Sequence, residues 1–373
     1  MRILLNAQDL SSSGGLQMSR FQVSRQLAQR GHVIDLLHVD DGDLAVDYRS
    51  FCHSVHRVPT FDFTRSSAAR DLVRLAPSVR RGRRCRPDVV YVNRFSEIAF
   101  GILTGWASRA PVVCHLRYVS THGSTRLMGS KVRRFIAVSQ AQKADWVGAG
   151  LEPEWVEVVY NGIDPALYPP GGTEERRRAR EKLGLPPDAF IALYCGRMSP
   201  EKGVEVLLEA WQKMAIDPAE GRLVLLGDPV VPSVEDYLAR YERRIHEMAP
   251  PGCEWRPMQR DVVTFMHAAD VVVLPSHSES FGRVVLEAHA TGRPVVASRV
   301  GGNPEGLSGA FERFLFPDGD GAALADLLSS LVGWQEREPT LSDECIAHVT
   351  TEFTLQRTVD GVERILAEAA GGR

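Results

Sequence analysis

The chain has 373 residues, 44% of them apolar, and a net charge of −3 at pH 7. That length supplies two domains of ordinary size, each with its own core, and the near balance of charge gives no global field for nucleic acid, which is excluded as the expected partner. MRILLNA is too short an apolar run for a signal peptide, no stretch reaches membrane-spanning length, and the six cysteines are scattered without a CxxC, so a cytoplasmic protein with reduced thiols is expected.

In chain order, residues 2–7 (RILLNA) read as a strand and Ser11 to Gly15 as a glycine-containing turn. Leu16 to Arg30 reads as a helix with Leu16, Phe21, Val23 and Leu27 on its apolar side, ended by Gly31. Gly14 and Gly15 let backbone approach a ligand closely, although no GxGxxG or GxxxxGK[ST] is present and such a pair taken alone is more often just a turn. Val33–Val39, Asp88–Asn93, Val112–Arg117 and Phe135–Ser139 are further strands separated by helical stretches, the alternation of a doubly wound parallel sheet.

His115 falls at the carboxyl end of its strand, where ligands bind in such sheets, though a lone histidine there is more often structural. Ser139 reads as a helix cap. Arg94 and Arg117 also follow strand ends, with two readings left open: a grip on an acceptor phosphate or carboxylate, and surface salt bridges. The basic segment from Arg65 to Arg86, densest at RRGRRCR, is most simply a solvated helix face and loop. Peripheral contact with an anionic membrane surface, or recognition of an anionic acceptor, is the alternative.

VEVVYNGID (156–164) is a strand leaving through Asn-Gly, and Pro165–Pro187 has the Pro, Gly and charge content of a hinge. The expected domains are therefore 1–164 and 165–345, with a closing segment 346–373 that carries a helix over Leu355–Ala369. In the second domain FIALYC (190–195) delivers Gly196 and Arg197 to a strand end, and a helix follows from Gly203 with Val204, Leu207, Leu208 and Trp211 buried. Lys202 then stands at a helix N-terminus, where a cation is unfavourable unless an anion sits beside it. Leu223–Gly227, Cys253–Pro257 and Asp270–Pro275 continue the sheet, and Pro294–Ser298 follows.

Beyond DVVVLP comes SHSESFGRVVLE (276–287), a turn and then a helix expected to start near Phe281, which would point the N–H groups of Phe281, Gly282 and Arg283 at an anion. Glu279 and Glu287 are eight residues apart and fall near one side. An isolated pair of this kind is more often a cap and a solvated face; as ligands they suit hydroxyl donors rather than phosphate. Asp41-Gly-Asp43 and Asp318-Gly-Asp320 look like DxD metal motifs but sit in polar glycine loops, where such residues collect for turn reasons.

Glu279-Ser-Phe-Gly-Arg-Val-Val-Leu-Glu287 resembles the E-x7-E signature of retaining glycosyltransferases of family 4. The likeness continues through AHATGRPVVASRVGGNP (288–304), GRMSPEKG (196–203) and the NGID turn (161–164). The resemblance implies an α/β protein of GT-B fold, two doubly wound Rossmann-like domains facing each other across a cleft, with the terminal helix packing back on the first. It implies a nucleoside-diphosphate sugar, UDP- or GDP-linked, on the second domain and an acceptor of unknown type on the first.

By the same resemblance Arg197 and Lys202 hold the donor diphosphate with Ser280, Phe281 and Gly282, and Gly15 borders the phosphates. Glu279 and His115 face the transferred sugar, Glu287 takes ribose hydroxyls, and Met258 lies by the base. No cofactor and no metal are expected. The alternatives are a sugar-nucleotide epimerase of the same fold and a non-catalytic sugar-nucleotide-binding subunit.

Overall fold

Apolar strands alternate with amphipathic helices in both halves of the chain, and the strands gather into two parallel sheets. The structure, a computed structural model, describes residues 1–12, 14–120, 125–228 and 235–372, without the side chains of Arg65 and of residues 235–238. Ser13 of the expected first turn, the Arg65 side chain of the basic segment and Arg373 of the closing segment lie outside the described residues.

The first unit comprises Met1–Gly162 and Leu355–Arg373. Its strands are β1 (Arg2–Asp9), β2 (Val33–Asp40), β3 (Ser54–Arg57), β4 (Val89–Val92), β5 (Val112–Leu116), β6 (Arg134–Ala137) and β7 (Val156–Val158), in the spatial order β3-β2-β1-β4-β5-β6-β7. This is the doubly wound order, with the chain reversing direction across the sheet at β1 and β4. Leu5 pairs with Leu36 on one side and Tyr91 on the other.

Successive residues of a strand point to opposite faces, so β1 serves two cores at once. Ile3 and Leu5 pack with Val23, Leu27, Val359, Val362 and Leu366, while Leu4 packs with Leu37, Leu75, Phe100 and Phe135. The helix Leu355–Gly371, last in sequence, is thus a core element of the first unit. Strand β3 is hidden from a search for apolar runs because SVHR is a half-exposed edge segment.

The second unit spans Ile163–Thr354. Its strands β8 (Phe190–Cys195), β9 (Gly221–Leu226), β10 (Cys253–Arg256), β11 (Val271–Leu274), β12 (Val295–Ser298) and β13 (Leu315–Phe316) lie in the order β10-β9-β8-β11-β12-β13. Two-residue β13 is too short to carry a pattern. A buried carboxylate organises this unit: Asp270 accepts from Arg176 Nη2 and Arg180 Nη2, each at 2.8 Å, from Ile191 N at 2.7 Å and from Gln335 Nε2 at 2.7 Å. It ties the helix Thr173–Leu183 to β8 and β11, and its acceptor capacity is filled, as burial of a charge requires.

Candidate functional site

The strands β9, β8 and β11 of the second unit deliver their carboxyl ends side by side, and close backbone contacts lock the loops that follow. After β8, Gly196 N donates to Leu226 O at 3.0 Å, and a Cβ on Gly227 would fall 1.8 Å from Gly196 O. The Tyr194 hydroxyl donates to Arg197 O at 2.6 Å, and burial raises its pKa, so it stays a donor. Met198 N donates to Asp228 O and Met258 N to the Asp228 carboxylate, both at 3.0 Å. Asp228 therefore gathers the ends of three neighbouring strands.

A short 3-10 turn, Pro200–Lys202, separates Arg197 from the helix Val204–Met214. It closes with Gly203 at φ 63, where a Cβ would lie 2.1 Å from Pro275 O; only glycine fits both the angle and the approach. Lys202 thus stands before the helix rather than in its first turn. His277 N donates to Glu201 O at 2.9 Å, stitching this loop to the one after β11. On the far side Gly302 N donates to Glu279 O at 3.1 Å, and a Cβ on Gly301 would be 1.7 Å from that oxygen.

With both backbones held, Lys202 Nζ meets Glu279 Oε2 at 2.6 Å, the side chains 16% and 15% exposed. Arg197 is half exposed, its Nη2 3.7 Å from Glu201.

The helix carrying Glu287 spans Arg283–Ala290, two residues later than expected, with Gly282 as its cap. Gly282 is pressed against Leu274 and Asn303, and the buried Phe281 ring lies 5.5 Å from that of Phe353, so both residues are held outside the helix. The helix therefore opens at Arg283 rather than at Phe281, and Val285 N donates to the cap carbonyl Gly282 O at 2.9 Å. Ser280 lies in the loop just before. Glu287 lies 3.4 Å from Arg283 Nη2. Burial and the nearby Glu287 carboxylate raise the pKa of Tyr168. Tyr168 carries no signal in sequence beyond its place in the Pro- and Gly-rich hinge.

In the first unit, Gly15 opens the helix Gly15–Gln29 and is exposed. His115 is fully buried at the end of β5; its Nδ1 lies 2.7 Å from Tyr91 Oη and 3.2 Å from Arg117 Nη2. A guanidinium only donates, so Nδ1 is the acceptor and the proton resides on Nε2. Burial, then Arg117, push the histidine pKa well below its ordinary value, and the ring is neutral. Among the described residues Nε2 is a buried donor with no partner.

Arg117, for which the sequence leaves a surface salt bridge open, is buried instead. It donates to Ser19 Oγ at 2.8 Å and to Asn93 and Asn161, gathering the helix Gly15–Gln29 and the ends of β4 and β7.

The two DxD-like triplets have structural work. Asp43 accepts from Ser12 N and Oγ at 2.8 and 2.6 Å, Asp318 holds His277 Nδ1 at 2.6 Å, and Asp320 caps the helix Gly321–Ser330. Among the described residues no group of three or more His, Cys, Asp or Glu side chains is placed to hold a metal ion.

Comparison with known proteins agrees with this architecture. Residues 13–167 match the family model described as Glycosyltransferase Family 4, and residues 175–343 the model described as Glycosyl transferases group 1. The chain is 33% identical over 227 residues to a D-inositol 3-phosphate glycosyltransferase of Corynebacterium efficiens, covering 58% of this chain and 52% of that protein. It is 36% identical over 223 residues to the protein of that name from Saccharomonospora viridis, covering 58% and 51%. It thus spans about half the length of these curated relatives.

Among solved structures, Anabaena HepE in complex with UDP-glucose superposes with a TM-score of 0.83 at 23% identity, covering 99% of this chain and 100% of that one. Sucrose-phosphate synthase from Thermosynechococcus elongatus gives 0.78 at 20% identity, covering all of both chains. These likenesses concern the fold, two Rossmann-like units of the GT-B class. With adjoining family models matched along most of its length and that fold, the chain belongs to glycosyltransferase family 4.

Proposed function

We propose that the protein is a retaining glycosyltransferase that moves a sugar from a nucleoside-diphosphate sugar to an acceptor hydroxyl. The observation that carries this reading is the juxtaposition of Lys202 and Glu279 at 2.6 Å on two loops fixed by glycine contacts at the carboxyl edge of a parallel sheet. A cation there can take a diphosphate, and a carboxylate beside it can take sugar hydroxyls. Breaking the anomeric bond leaves negative charge on the departing diphosphate, and preorganised positive charge facing it is the strongest stabilisation such a site can supply.

On this reading Arg197 gives the diphosphate a forked, mobile contact and Lys202 a compact one. The N-terminal end of the helix Arg283–Ala290, with Ser280, Phe281 and Gly282 ahead of it, and Gly15 of the first unit complete the phosphate contacts. Glu287, steadied by Arg283 and Tyr168, takes ribose hydroxyls, and the backbone at Met258 takes the base. Neutral His115 offers its Nε2–H to a hydroxyl of the transferred sugar. No protein nucleophile is needed where the acceptor attacks on the face from which the diphosphate leaves and passes its proton to the departing phosphate oxygen.

Residues 1–164 would serve the acceptor and 165–345 the sugar nucleotide. The positive charges at Arg197 and Lys202 would replace a metal ion, so activity should survive EDTA. The named likenesses favour a UDP-sugar donor and an acceptor that itself carries phosphate.

The test begins with a thermal-shift screen against UDP-, GDP-, ADP- and dTDP-sugars, since a ligand of the folded state raises apparent stability with its affinity. Turnover of the best donor follows, in the wild type and in Arg197→Ala and Lys202→Ala. Unchanged turnover in both variants would refute the diphosphate contacts. Consumption of donor without a glycoside product would point to the epimerase.

A further inference from the structure

Two helices of the first unit, Ala68–Arg84 and Ile98–Ser108, pack side by side, so close that a Cβ on Gly82 would lie 2.6 Å from Thr104 Cγ2. Each returns the chain between parallel strands of one sheet, and they therefore run in the same direction. The first buries Asp71, Leu75, Ser78 and Gly82. At the helical period the opposite side presents Val73, Pro77, Arg80 and Arg84, all exposed, Val73 at 74%. The second buries Thr104 and Gly105 and turns Trp106 outward, at 83% the most exposed large apolar side chain among the described residues.

Both stripes end in arginine. Arg86 and Arg109, just past the two helices, have φ of 49° and 58°, a left-handed conformation that favours glycine. A guanidinium is kept at each position against that preference. Among the described residues no ion pair neutralises Arg80, Arg84, Arg86 or Arg109. These four guanidiniums stand on or just past two neighbouring helices of a chain whose net charge is −3.

We propose that this face docks on an anionic phospholipid surface. Solvation accounts for the arginines but leaves Trp106 and Val73 unexplained, whereas a bilayer interface offers both an apolar edge for an indole and phosphates for guanidiniums. The contact is peripheral, since no helix among the described residues is long and apolar enough to cross a membrane. It shares no residue with the proposed donor site and stands or falls apart from that reading.

The experiment is co-sedimentation of the full chain with phosphatidylcholine vesicles, with and without phosphatidylglycerol, at low and high salt. Binding should require phosphatidylglycerol, weaken at least tenfold at high salt, and weaken similarly in the Arg80→Gln/Arg84→Gln double variant. Brominated lipid should quench tryptophan emission, and Trp106→Phe should remove most of that quenching. All these positions are exposed, and an unchanged melting temperature would confirm that the variants fold.

No binding to phosphatidylglycerol vesicles, or binding indifferent to these substitutions, overturns the proposal. Self-association in solution that Trp106→Ala abolishes, without lipid binding, would overturn it in favour of a protein contact.

Discussion

Lys202 and Glu279 form a mostly buried ion pair at 2.6 Å, so the cation proposed for the diphosphate is already neutralised by the carboxylate proposed for the sugar. A bare nucleoside diphosphate would have to share Lys202 with Glu279 and would bring no sugar hydroxyl to satisfy the carboxylate. A sugar nucleotide would satisfy both groups.

Glu279→Gln is therefore expected to bind the bare nucleoside diphosphate more tightly, by about 1 kcal/mol or roughly five- to tenfold, while turnover of the sugar donor falls sharply. Calorimetric titration of wild type and variant checks the first effect and initial rates the second. Equal affinities would mean that the pair does not guard the cation. For Lys202→Ala the expected loss of transition-state stabilisation is about 2–4 kcal/mol in kcat/KM.

Gly301 matters for where it puts Glu279. Its φ is 48°, and a Cβ would lie 1.7 Å from Glu279 O. Gly301→Ala should displace the Glu279 backbone, lowering the melting temperature and raising KM for the donor. Gly309, also at positive φ but with nothing within 4 Å, is the control. Gly309→Ala bears only the backbone strain, about 1 kcal/mol, and should leave donor KM unchanged.

The Asp270 hub predicts a stability effect without a direct chemical one. Arg180 and Asp270 are almost wholly buried and 2.8 Å apart. Asp270→Ala strands two arginines and a backbone N–H, and should cost about 3–5 kcal/mol in denaturant unfolding. Because the helix Thr173–Leu183 is anchored there, refolded variant should recover donor affinity more fully than stability.

Two buried histidines set the acid limit. Burial lowers the pKa of both His115 and His289, Arg117 adding to the first and His348 to the second, and for His289 the value falls from 6.5 to about 3. Unfolding lets each bind a proton, so stability is full above pH 6.5 and is lost as pH falls from there towards 3. His289→Phe, beside Phe311 at a ring distance of 4.6 Å, should make the fall of melting temperature between pH 6.5 and 4 shallower. A parallel curve would exclude His289 as a contributor.

The alternation of apolar strands with helices is legible in sequence because each strand of a buried parallel sheet must be apolar on both faces; runs such as RILLNA and DVVVLP admit little else. The glycines of GRMSPEKG and VGGNP are legible as turns, and the family resemblance marks the same loops as expected donor contacts. Edge strands β3 and β13 are not legible, since one is half polar and the other two residues long.

Pairings across large sequence separations belong to the tertiary structure alone. Lys202 meets Glu279 across 77 residues, and Ser19 joins Asn161 across 142. Burial of Arg117 is equally invisible, because no local pattern distinguishes a strand-end arginine that turns inward from one that turns to water. The sequence by itself determined which segments are strands, helices and glycine turns, since those follow from local periodicity and backbone freedom. Which charges neutralise one another was decided only when the sheets brought distant loops to one edge, where distance and burial rather than order along the chain set the interaction.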